Sequence, residues 1–116
     1  MTGRDRYDLE ARALIQRRAI AVAEAILRGD VGIIEGARQL SALAHDLVED
    51  WRVDPDFLVM GALDSETDHL PVGKARELWD PGALKEKDAL VQRIEAEARH
   101  NVEQACRNII RRFRDV

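Results

Sequence analysis

Aromatic side chains are scarce in this sequence: one tyrosine, two phenylalanines and two tryptophans make up 4% of 116 residues. Any core must therefore be aliphatic, filled by Leu, Ile, Val and many Ala. Cysteine occurs once, at Cys106, which excludes an intramolecular disulfide. No apolar run approaches the ~20 residues needed to span a bilayer, and nothing near Met1 has the charged start and apolar stretch of a secretory signal. These absences set the expected location as the reducing cytoplasm, with no membrane. A formal charge of −4 likewise gives no general attraction to nucleic acid.

What is present suits a folded domain. Apolar residues make up 46% of the chain and charged residues 34%, on the globular side of the boundary with disorder. A chain of this length buries roughly two thirds of its unfolded surface without disulfides or metal, so residues 1–116 are expected to form one domain.

Helical periodicity runs through it. From Tyr7 to Arg28 there is neither Pro nor Gly, and Leu9, Ala13, Ile20, Ala23 and Leu27 recur at steps of three, four and seven. Gly29 is placed to end this helix in a left-handed cap. Ile33, Ile34, Ala37, Leu40, Leu43, Ala44 and Leu47 repeat the pattern, which predicts a second helix to about Glu49, and the short link favours an antiparallel hairpin. Gly36, early in that helix, implies close approach by a neighbour. Asp54-Pro55 resembles a helix start. The apolar run Phe57-Leu58-Val59-Met60 could be a strand, but a lone strand would have no partner, so a third short helix is predicted. Pro71 and Gly73 mark a loop, and Lys74 to Asp80 can add a helical turn that buries Trp79. The expected architecture is all-α, a small bundle of about four helices with a helical hairpin first and a long helix last.

Asp80-Pro81 is the strongest start signal, an N-cap carboxylate followed by proline at the first helical position. Beyond it Leu84, Val91, Ile94, Ala98, Val102, Ala105, Ile109 and Phe113 repeat with a period of about 3.6, as in globular packing, against 3.5 for a coiled coil. A continuous helix to Val116 would run roughly 50 Å, longer than the ~35 Å diameter of a compact domain. Three outcomes accommodate it: an elongated molecule, a break near His100-Asn101, or a homodimer covering the projecting stripe.

No complete catalytic or cofactor set accompanies these elements. Between His45 and His69 lie eight carboxylates against one base, Arg52, a density that attracts a cation or a basic partner; a solvated acidic surface is the plainer reading. Asp64-Ser65-Glu66-Thr67-Asp68 spaces carboxylates as a calcium loop does, but His69 stands where glycine is required and Ala75 where a bidentate Glu should close the shell. His45 and Glu49 share a helix face and could join Asp64, Asp68 or His69 around a divalent metal, although neither an H-E-x-x-H motif nor cysteine ligands support this. Cys106 has no base: His100 lies about 240° away around the same helix, so the thiol reads as a small buried apolar group. Arg107, Arg111, Arg112 and Arg114 suggest a nucleic-acid tail, but the helix macrodipole stabilises cations at this end without one.

The segment from Ala62 to Gly73 (ALDSETDHLPVG), followed by Trp79 and Lys87-Asp88 and preceded by Glu35-Gly36-Ala37-Arg38, resembles a small family of uncharacterised bacterial all-helical proteins. The resemblance runs through most of the chain and implies a bacterial, single-domain helical protein with no assigned activity. It directs attention to Asp64 through Trp79. One reading of that segment is structural, with Ser65 and Asp68 making a polar helix end, Leu70 and Pro71 packing it down and Trp79 plugging the space beside the last helix. The other is a presented acidic loop.

The function expected is therefore non-enzymatic: a protein–protein interaction module, of the toxin-neutralising immunity type or a small regulator. Its expected surface comprises Asp64, Glu66, Asp68, His69 and Trp79, and its expected partner is a basic protein or a second copy of the chain. No metal or cofactor is expected. The alternative class is a metal-dependent enzyme built on His45, Glu49, Asp64, Asp68 and His69; a nucleic-acid module using the terminal arginines comes third.

Overall fold

Three of the four α-helices begin or end on a signal supplied by residues next to them, and α2 does not. The computed structural model describes residues 3–114, with side chains from Asp8 onward, and contains four α-helices: α1 (Gly3–Arg28), α2 (Ile33–Leu47), α3 (Pro55–Thr67) and α4 (Pro81–Arg114). Short 3-10 helices, Trp51–Val53 and Gly73–Leu78, occupy two of the connections. No strand occurs among the described residues, as the pairing argument for Phe57 to Met60 required.

Gly29 closes α1 with φ +80°, its N–H donating to Ile26 O (3.1 Å) while Asp30 N–H donates to Ala25 O (2.9 Å). This pair of bonds is a Schellman closure, which needs a left-handed residue where only glycine is unstrained. Asp54 caps α3 by accepting from Asp56 N–H (3.1 Å) and Phe57 N–H (3.3 Å). Asp80 does the same for α4, accepting from Gly82 N–H (3.0 Å) and Ala83 N–H (3.2 Å). In both, proline follows the cap and loses nothing, since its missing N–H would have been unsatisfied in the first turn.

α1 packs on α2 and α4, and α3 packs on the same two helices from the opposite side. The core is aliphatic: Ala19, Ala23 and Ile26 of α1 meet Ile34, Ala37 and Leu40 of α2, Phe57 and Met60 of α3, and Val102, Cys106 and Ile109 of α4. A Cβ on Gly36 would collide with the Ile26 side chain, so the α1–α2 hairpin closes only because this position has none.

α4 is a single helix of 34 residues through His100 and Asn101, and the molecule extends 58 × 28 × 25 Å. Of the three ways to accommodate that length, the chain itself takes the elongated one. Its buried positions, Val102, Ala105, Cys106, Ile109 and Phe113, all lie in the second half. Val91, Ile94 and Ala98 are only half-buried against the core.

Candidate functional site

The lower end of α3 is held by charge. Arg112 of α4 donates to both oxygens of Asp54, Nη1 to Oδ1 at 2.9 Å and Nη2 to Oδ2 at 2.6 Å, and Nη1 also donates to Asp56 Oδ2 at 2.9 Å. Asn108 donates to the other oxygen of Asp56 at 2.9 Å. The bidentate geometry is the strongest an arginine and a carboxylate make. It holds Asp54 below its ordinary pKa, chiefly through the Arg112 hydrogen bond, and raises Arg112. The guanidinium also lies against Phe113, 5.2 Å from the ring centroid. Two of the eight central carboxylates are thus consumed by the fold, and Arg112 is an internal clamp.

At the upper end of α3, Arg38 of α2 does the corresponding work. Its Nη2 donates to the carbonyls of Thr67 and, at 3.2 Å, Leu70, while its Nε lies 3.6 Å from Asp64 Oδ1. A cation thereby holds the Thr67 carbonyl, which also accepts from Leu70 N–H (2.9 Å), and ties the loop after α3 to α2. Thr67, fully buried, donates its hydroxyl to Leu63 O at 2.6 Å, so the Asp64 to Asp68 run is the last turn of a helix and has no calcium-loop geometry.

Residues 71–73 with Arg76, Val91 and Glu95 gather at the start of α2. Gly32, the N-cap of α2, offers no side chain, and Glu95 of α4 accepts from Ile34 N–H at 3.0 Å instead. Gly73, at φ +58°, lies where a Cβ would press on the Glu35 carboxylate. Arg76 and Asp88 form a two-bond ion pair, which pulls Asp88 below and Arg76 above their ordinary values through that hydrogen bonding. The cleft between Gly32, Glu35, Val72, Gly73, Val91 and Glu95 has a volume of about 150 Å³. Arg38 with Asp64, and Arg76 with Asp88, thus brace the 68–73 loop and the 3-10 helix behind it, with Gly73 closely approaching Glu35.

The remaining residues of the expected surface stay outside these braces. Glu66, Asp68 and His69 are exposed, with His69 Nδ1 3.7 Å from Asp68 Oδ1. Glu66 borders a shallow groove of about 240 Å³ between α3 and α4, lined also by Val59, Ala62, Ala98 and Asn101. Leu70 and Pro71 are buried, as expected. Trp79 meets expectation only in part: it is partly buried but lies outside the core, and Leu78 beside it is 90% exposed. The tryptophan is the C-cap of the 3-10 helix Gly73–Leu78, its N–H donating to Arg76 O.

His45 and Glu49 are not brought to the acidic end of α3. They border a groove with Asp8, Arg12, Ile15 and Asp46, and His45 meets Trp51 edge to face at 6.2 Å. Among the described residues no group of three or more His, Cys, Asp or Glu is placed to hold a metal ion, so the proposed set of His45, Glu49, Asp64, Asp68 and His69 does not converge. Cys106 is fully buried, and desolvation pushes its thiol up to about 12, as befits an apolar packing group. No helix among the described residues is long and apolar enough to cross a membrane.

Comparison with known proteins gives a family and no activity. Residues 6–109 match the model of a family described as "Protein of unknown function (DUF2489)", and the chain belongs to that family. No curated protein and no solved structure matches it.

Proposed function

We propose that this protein is a non-enzymatic binding module whose acidic α3 end, Asp64, Glu66, Asp68 and His69, together with Leu78 and Trp79, docks a basic protein partner. The observation that carries this reading is the division of labour among its carboxylates. Asp54, Asp56, Asp88 and Glu95 are all engaged in bonds that hold helices together. Glu66 and Asp68 project into solvent at the end of α3. Exposed carboxylates supply the long-range attraction that captures a basic partner, and the exposed Leu78 supplies apolar surface for burial. A bacterial regulator, or an immunity-type protein that neutralises a basic toxin, would have this makeup.

The test compares the immobilised chain with its Glu66→Lys/Asp68→Lys variant in extracts of the source organism. Both positions are exposed, so the variant keeps the native helical spectrum. The expected result is a basic protein retained by the parent at low salt, released as salt is raised and lost by the variant. Recovery of the same proteins by both chains would overturn the reading.

A further inference from the structure

Two exposed helix faces of this chain are complementary to each other. On α1, Leu14, Arg18, Ala21 and Ala25 follow one another at helical spacing with Arg17 alongside; Leu14 is 60% exposed, and only Ala25 is partly covered. No carboxylate lies in that stripe, and Glu24, the only acid from Leu14 to Ala25, turns aside to within 3.6 Å of Arg114. Arg18 also borders two shallow grooves, one with Leu14 and Ile15 and one with Val22, Gln39, Ala42 and Leu43. On α3, Leu58, Ala62, Ser65 and Glu66 form a second stripe, with Leu58 42% exposed and Asp68 just beyond. Each face thus carries one leucine, small residues that let a neighbouring backbone approach, and charge of a single sign.

We infer that the occupant of the basic α1 face is the acidic α3 face of a second copy of this chain. The charge complementarity selects it: Arg17 and Arg18 on one side, Glu66 and Asp68 on the other. The α3–α4 groove lined by Ala62 and Ala98 gives the incoming helix a seat. Since α1 and α3 lie diagonally across the bundle, each packed on α2 and α4, the two faces look in opposite directions. Docking one leaves the other free, so the association is head to tail and does not close at two copies. The inference shares with the proposed function the premise that the α3 end binds a basic surface, and the two occupants compete for Glu66 and Asp68.

Sedimentation equilibrium of the full chain tests it. At low salt the average mass should climb past that of a dimer as concentration rises. It should return to the monomer in about 0.5 M NaCl, where screening acts over only about 4 Å. Arg17→Gln/Arg18→Gln and Glu66→Gln/Asp68→Asn should each weaken association at least tenfold. Mixed together, they should form a one-to-one dimer and nothing larger, because one intact α1 face and one intact α3 face remain. A parent chain that stays monomeric, a mass that levels at two copies, or variants that associate like the parent would each overturn the inference. Retention of a foreign basic protein by Arg17→Gln/Arg18→Gln would show that the binding-module reading stands without self-association; self-association with no foreign partner would show the reverse.

Discussion

Arg112 and Asp54, 58 residues apart in the chain, face each other through two hydrogen bonds of 2.9 and 2.6 Å, and through this contact the end of α4 fixes the start of α3. Asp54 is at once the N-cap of α3 and the acceptor for a cation from another helix, so a local signal and a tertiary bond converge on one carboxylate.

Replacing Arg112 by Ala should therefore cost more than the loss of a surface ion pair. It strands Asp56, which is 8% exposed and is left with Asn108. With discount for the partial exposure of the guanidinium, the loss is about 1–3 kcal/mol. Urea unfolding at neutral pH measures it. A double-mutant cycle with Asp54→Asn should show that the two losses are not additive.

The same contact predicts a response to acid. Asp54 has its pKa lowered in the folded chain, first by the Arg112 hydrogen bond, so folding favours its ionised form. The stabilisation is whole above the unfolded carboxylate value of about 3.9 and is lost as pH falls through the lower, folded value. Urea midpoints followed downward from pH 7 should decline most steeply in that acid range. In Asp54→Asn the decline should be shallower. An unchanged slope would remove Asp54 from the account.

Gly36→Ala should destabilise the hairpin by about 1–3 kcal/mol despite alanine's better helix propensity, because the new methyl meets the Ile26 side chain. Combined with Ile26→Ala, the penalty of Gly36→Ala should shrink, since the obstructing atoms are gone. Thermal unfolding of the two single variants and the pair checks this. Strictly additive losses would contradict the packing argument.

Cys106, fully buried and with its thiol raised to about 12, should resist a thiol reagent at pH 8 in the native chain and react at once when unfolded, since the thiolate is the attacking species. Modification at the rate of a free thiol in folded protein would place it at the surface.

Much of the architecture was legible because its signals are local. Asp54-Pro55, Asp80-Pro81 and Gly29 each solve the bonding of a helix end with residues one to three positions away, and the 3.6-residue apolar stripes specify which faces are buried. What was not legible depends on pairing across the chain. Nothing in the sequence spacing joins Arg38 to the carbonyls of Thr67 and Leu70, or Arg112 to Asp54. Arg112 resembled one more cation at a helix C-terminus until its partner came into view. Trp79 shows the opposite case: an aromatic residue carries a strong expectation of burial, and this one is covered only in part, outside the core, at the end of the second 3-10 helix. The acidic character of the expected surface is legible in the residues; only the fold separates Asp64, braced by Arg38, from Glu66 and Asp68, which among the described residues tie no other helix to α3.

The carboxylate of Glu95 on the first turn of α2 bears on how this chain matures. The Ile34 N–H in the first turn of α2 has no acceptor from this carboxylate until Glu95, 61 residues downstream, has been made. A fragment ending before Glu95 should exchange the amide hydrogens around Ile34 rapidly, while the complete chain protects them.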